Sequence, residues 1–242
     1  MGPGDADVRR PSWTYTRTGA GRLLGGLVAV EIGLIVVYVC TRLVVPSWGV
    51  LGSLFNVGLD QSLPSWFSAV QLAALGGAFL LAASANQADS GLPTALLVVM
   101  AALGLFLSAD EGAGIHERIT TAMSDADLDW LLFEGGHGGW VAVYAVLGVL
   151  AAVVAFRWLR LLWSTVRREA VLGAIGLAVY LTGAVVVEVL GYETESGATG
   201  ALDVARIAVE ELMEMAGASL LLYAALLLAL HVGSTASTAN AA

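Results

Sequence analysis

The sequence predicts an all-α integral membrane bundle of about six transmembrane helices. Three observations predict it: a mean hydropathy of +0.81, only 13% charged residues, and six separate apolar runs long enough to cross a bilayer. A soluble domain of this size carries about a quarter charged residues. Too little polar surface remains here to cover a water-facing globule, so most of the surface must face lipid. Six spans of roughly 20–25 residues plus short loops nearly exhaust the chain, which leaves no room for a soluble catalytic domain. The apolar runs are continuous rather than alternating, which excludes a transmembrane β-barrel.

Residues 1–21 read as a polar, flexible lead and residues 22–232 as the transmembrane domain. Residues 233–242 are small and polar and read as a disordered tail. The spans fall at about 23–45, 66–85, 93–108, 139–162, 170–190 and 207–230. The first is too long for a removable signal core and no small-x-small site follows it, so it reads as a retained anchor. The short turn 86–91 makes spans two and three antiparallel neighbours. Pro93 opens span three in the first turn, where its missing N–H costs nothing. Cys40 is the single cysteine, so no internal disulfide is possible.

Arginine placement orients the bundle. Arg9, Arg10, Arg17 and Arg22 precede span one, and Arg157, Arg160, Arg167 and Arg168 lie between spans four and five. In a six-span chain both groups share one side, which predicts a plasma-membrane protein with both termini in the cytoplasm. The net charge of −9 excludes nucleic acid as a partner, since that needs a basic patch. The lipid bilayer is the one partner the composition implies.

The acids gather at the opposite, outer side. Loops free of arginine account for some of them, but not for acids within or abutting spans, where a charge costs about 2.5–3.5 kcal/mol at the helix centre. The first cluster is Asp110, Glu111, His116 and Glu117, at the outer end of span three. Asp110 and Glu117 are seven apart and share a face of a continuous helix, and Gly112 and Gly114 are able to bend it so that the flanking groups converge. Carboxylates with an imidazole suit Zn, Mn or Fe; a solvated helix end with an Arg118–acid pair is the plainer reading. The second cluster is Glu210, Glu211 and Glu214, entering span six. Three such close carboxylates repel unless a cation or shared protons compensate, and Arg206 is placed to pair with Glu210 at i,i+4.

Four further positions are candidates. Glu188 near the end of span five and Asp60 just before span two are within reach of the same region. His137 sits in a glycine-rich turn before span four, and reads equally as a ligand or as an interface residue beside Trp140. Glu31 lies about 12 Å into span one by helical rise, either as a station for ions or as a protonated acid bonded to a neighbouring helix. No Gly-x-Ser-x-Gly elbow, dinucleotide fingerprint or phosphate loop is present.

Three segments together resemble a family of uncharacterised bacterial polytopic membrane proteins. They are Asp60-Gln61-Ser62-Leu63-Pro64-Ser65-Trp66-Phe67-Ser68, Leu107-Ser108-Ala109-Asp110-Glu111 with His116-Glu117, and Glu210-Glu211 with Glu214-Met215. The family pattern has an Asn between the acid and the Pro of the first segment, where this chain has Ser62. The resemblance implies that the three segments form one site at the outer face; it carries no activity. A looser likeness of architecture is to membrane metal hydrolases such as the alkaline ceramidases, but the later histidine pair of that group is missing.

These readings lead to one main expectation: a membrane-embedded site in which Asp110, His116, Glu117, Glu210 and Glu214 hold a divalent metal (Zn, Mn or Fe). Glu111 and Glu211 serve as its acid and base, in hydrolysis or redox chemistry on a lipid-like substrate. The alternatives are a proton- or cation-coupled transporter, with Glu31 and the outer acids on one path, and a non-catalytic accessory subunit.

Overall fold

The computed structural model describes residues 16–44, 49–59, 61–86, 90–128, 138–194 and 200–239. Its elements are helices: α1 (Arg17–Val39), α2 (Gly49–Leu54), α3 (Leu63–Ala85), α4 (Thr94–Ala113), α5 (Ile115–Asp125), α6 (Gly139–Thr165), α7 (Arg167–Leu181), α8 (Glu188–Thr194) and α9 (Ala201–Ala239). A wide-turn π segment, Cys40–Val44, continues α1, and a second, Thr182–Val187, joins α7 to α8. Among the described residues six helical stretches are long and apolar enough to cross a membrane: Arg17–Val44, Leu63–Ala85, Thr94–Ala113, Gly139–Thr165, Arg167–Gly191 and Ala201–Gly233. The protein is an all-α, multi-pass membrane bundle.

The expected spans are all present, extended mostly at their polar ends, where side-chain caps carry the helix past the apolar run. The Thr16 hydroxyl accepts from the Gly19 N–H at 3.1 Å, so α1 starts within the stretch read as a lead. Ser62 Oγ accepts from the Ser65 N–H at 3.3 Å, with Pro64 in the first turn of α3. These bonds satisfy N–H groups that a helix start leaves without partners. Helix α9 continues to Ala239, into the stretch read as a tail. The polar connection after span three contains an unanticipated element, the amphipathic α5. Asp60 and His137 lie outside the described residues.

Helix α9 is the axis of the bundle, packed by α1, α3 and α7; α4 lies on α3, and α6 touches α5 and α7. The main core runs through Leu72, Leu75, Leu97, Ala101, Ala218, Leu222 and Leu228. By contrast α6 turns Val149, Val153 and Val154 outward, the last 82% exposed, as befits a helix solvated by lipid tails. Lipid is as apolar as leucine, so close packing rather than water exclusion holds such helices together. Two contacts show it. A Cβ on Gly104 would meet the Gly76 backbone nitrogen at 2.8 Å, and one on Gly217 would meet the Tyr180 nitrogen at 2.5 Å. These glycines let α4 reach α3 and α7 reach α9 with backbones nearly touching.

Candidate functional site

The α3–α4 turn and the α6–α7 junction share one end of the bundle, where a Cβ on Gly91 would lie 3.5 Å from Thr165. At the opposite end, α4, α5, α6, α7 and α9 surround a cavity of about 810 Å3. Among the described residues eight carboxylates line it: Asp110, Glu111, Glu117, Asp125, Glu188, Glu210, Glu211 and Glu214. The only basic groups among its described lining residues are Arg206 and His116.

The geometry begins at Gly114. Its backbone is left-handed (φ 58°, ψ 47°), a conformation that glycine adopts without the Cβ clash other residues meet. Helix α4 therefore stops at Ala113 and α5 sets off in a new direction. Asp110, at the last turn of α4, reaches across this break. Its Oδ1 accepts the His116 backbone N–H at 2.8 Å and faces His116 Nδ1 at 3.3 Å. The first bond satisfies an orphan donor in the first turn of α5; the second fixes the imidazole and leaves Nε2 toward other partners. The break anticipated at Gly114 thus brings Asp110 and His116 together through a carboxylate–imidazole pair rather than along one helix face.

Burial disfavours the charged imidazolium. The Asp110 hydrogen bond and the charges of Asp110, Glu188 and Glu117 outweigh that cost, so the His116 pKa is raised above its ordinary 6.5. A group whose pKa is higher folded than unfolded stabilises the fold fully below the unfolded value and loses that contribution as pH rises through the folded one. Thermal unfolding across this window will show stability falling from about pH 6.5 upward in the wild type. The slope will flatten in Asp110→Asn, which removes the partner that holds the proton. An unchanged slope in the variant overturns this assignment.

Aromatic groups complete the wall. His116 packs edge-on to Trp140 (centroids 5.6 Å), Trp140 to Tyr144 (5.4 Å), and Tyr144 lies near Phe106 (6.1 Å). Trp140 Nε1 is buried with no hydrogen-bond partner among the described residues, and the Tyr144 hydroxyl lies beside Asp110. Both residues line the cavity, and the Trp140 N–H is a donor able to serve a bound molecule. Trp140 was legible only as the neighbour of His137, Tyr144 only as part of an apolar span. Tyr180, buried beside Gly217, also lines the cavity and had no signal in the sequence.

On α9, Arg206 Nη1 meets Glu210 Oε2 at 2.8 Å, the i,i+4 pair expected from spacing, and Nη2 reaches Asp203 Oδ1 at 3.3 Å. Glu188 enters from α8, as anticipated. Gly183 in the π segment packs against α9: a Cβ there would meet the Glu210 carbonyl at 2.8 Å and Glu214 Cγ at 3.0 Å. This contact seats Glu214 in the cavity wall. Ser108 is occupied, its Oγ donating to the Ala69 carbonyl at 2.8 Å. Glu31 lies apart from the cavity, in the bundle interior. Among the described residues no three His, Cys, Asp or Glu side chains converge in the manner that holds a metal ion. The carboxylates are spread around the wall.

The similarity to known sequences spans residues 26–230, from the first helix through most of α9. The chain belongs to DUF8692, a family with a domain of unknown function. This agrees with the expectation of an uncharacterised family. No curated protein and no solved structure matches the chain. The DUF8692 region contains every described cavity residue named above, so the acidic chamber lies wholly within the family domain.

Proposed function

We propose that this protein is a membrane carrier for an extended organic cation bearing several amines, bound in the acidic chamber. The observation that carries this reading is the distribution of charge: eight carboxylates spread around about 810 Å3, with no three of them converging. One compact ion touches few of them at once. A flexible chain of ammonium groups pairs with several, and the volume suits a small organic molecule. Trp140, Tyr144 and Tyr180 add ring faces for the cation. Carriage is favoured by the wide-turn segment Thr182–Val187 inside the fifth span, beside the chamber, since such bulges recur at functional sites. The arginine pattern supports a chamber on the extracytoplasmic side of the plasma membrane, with both termini inside.

A second reading has one observation in its favour. His116 is held by Asp110 through Nδ1, the arrangement that orients an imidazole for a metal on Nε2. Glu117, Glu210 or Glu214 would supply oxygen, with Glu111 and Glu211 as acid and base for hydrolysis of a lipid-like substrate.

Calorimetric titration of the detergent-purified protein with spermidine, beside Mn2+ titration followed by electron paramagnetic resonance, separates the two. Saturable spermidine binding that weakens with salt, with Mn2+ bound only weakly and displaced by spermidine, is expected. Stoichiometric Mn2+ binding with no heat from spermidine overturns the carrier reading in favour of the metal site.

A further inference from the structure

Outside the chamber, three helices bring together the polar side chains Glu31 of α1, Gln71 of α3 and Ser219 of α9, all at most 2% exposed. Glu31 Oε1 accepts from Gln71 Nε2 at 2.8 Å and from Ser219 Oγ at 2.6 Å. Gln71 Nε2 also lies 2.7 Å from Ser219 Oγ and 3.5 Å from the Met215 carbonyl. Glu31 Oε2 and Gln71 Oε1 are buried without a partner among the described residues.

This arrangement is short of positive charge. An amide nitrogen has two hydrogens, yet three oxygens crowd around that of Gln71. Two more oxygens nearby bond to nothing, at a depth where each unsatisfied polar group is costly. The hydrogen-bond partners of Glu31 are uncharged, so nothing in the cluster balances an ionised carboxylate. Turning the Gln71 amide over, which exchanges its nitrogen and oxygen, sets Gln71 Oε1 beside Glu31 Oε1, Ser219 Oγ and the Met215 carbonyl, four neighbouring oxygens that a cation among them would reconcile. Hard cations take such all-oxygen shells. A single carboxylate neutralises a single positive charge, whereas a divalent ion would leave a buried excess. The contacts of 2.6–2.8 Å close the cluster on itself, so a cation enters by displacing these hydrogen bonds, and a small one asks for the least movement.

We propose that Glu31, Gln71, Ser219 and the Met215 carbonyl form an intramembrane site for one small monovalent cation of the sodium class. The site is independent of the chamber: its donors come from α1, α3 and the middle of α9, and none of them lines the acidic cavity.

The test uses the full chain in detergent micelles. N,N′-dicyclohexylcarbodiimide modifies protonated carboxyls in apolar surroundings, and peptide mass spectrometry reads the rate at Glu31 itself. Thermal unfolding is recorded in parallel. In sodium chloride, compared with choline chloride at equal ionic strength, Glu31 is expected to react about tenfold more slowly, as at sodium concentrations of about ten times Kd. The unfolding temperature is expected to rise. Ser219→Ala, compared with itself in the two salts, loses the protection by sodium. Spermidine, which fills the chamber under the reading above, leaves the Glu31 rate unchanged. Equal rates in the two salts overturn the proposal, as does protection by spermidine equal to that by sodium. If Glu31 fails to react in either salt, the unfolding temperature decides: a sodium-specific rise absent in Ser219→Ala upholds the site, and equal temperatures overturn it.

Discussion

Replacing Glu210 and Glu214 with glutamine together is expected to lower the affinity for spermidine by about a hundredfold while leaving the protein at least as heat-stable as the wild type. The affinity estimate assigns about 1.4 kcal/mol to each lost ion pair, a tenfold step in each case, just under the range of about 1.5–3 kcal/mol for hydrogen bonds to charged groups. The stability estimate has the opposite sign for a definite reason. In the empty chamber these carboxylates face Glu211, Glu188 and their neighbours, so their mutual repulsion opposes folding. Arg206 keeps Asp203 at 3.3 Å when Glu210 loses its charge. A residue that merely supports the fold would lose stability on substitution. Parallel calorimetry and thermal unfolding check both signs; unchanged spermidine affinity in the double variant would sink the carrier reading.

The second large effect concerns the backbone. Gly217→Val is expected to separate α7 from α9 and to destabilise the bundle by about 1–3 kcal/mol, the range for overpacking a filled core. An added Cβ meets Tyr180 N at 2.5 Å and Tyr180 Cα at 2.7 Å, both parts of a rigid helix rather than the end of a flexible side chain. Tyr180 lines the chamber and would move with α7, so ligand binding should weaken in step with stability. Gly77→Ala is the control, since a Cβ there meets nothing within 4 Å. Unfolding in a graded detergent series measures both. Equal stability of Gly217→Val and wild type would show that the close approach at Tyr180 is dispensable.

The six spans and the Arg206–Glu210 pair were legible in the sequence because both depend on neighbours along the chain: a continuous apolar run, and an i,i+4 spacing. The convergence of the segments around 110, 188 and 210 was legible from charge, since acids at span ends have few reasons to be there. The Glu31 cluster was half legible. An acid in span one stood out, but its partners Gln71 and Ser219 lie 40 and 188 residues away and look like ordinary polar residues in apolar runs. The placement of Asp110 escaped the sequence for a different reason. A helical wheel assumes one axis through residue 117, while the left-handed turn at Gly114 gives α5 its own axis and converts Asp110 into a cap. Tyr180 carried no signal, since a tyrosine amid apolar residues reads as lipid-facing until the glycine opposite it is known.

The π segment Thr182–Val187 sets the angular phase of everything after it. On an ideal helix each residue turns about 100°, so Glu188 would stand about 140° from Gly183, the residue pressed against α9, and would face away from that helix. One extra residue in a wide turn takes back about 100° of that rotation, which swings Glu188 inward to the chamber wall. The insertion therefore keeps two faces in step: winding the same residues evenly would turn Glu188 by about 100° toward the lipid tails, whereas deleting one residue between Gly183 and Glu188 with a return to even winding leaves Glu188 about 40° from Gly183, still on the side of α9.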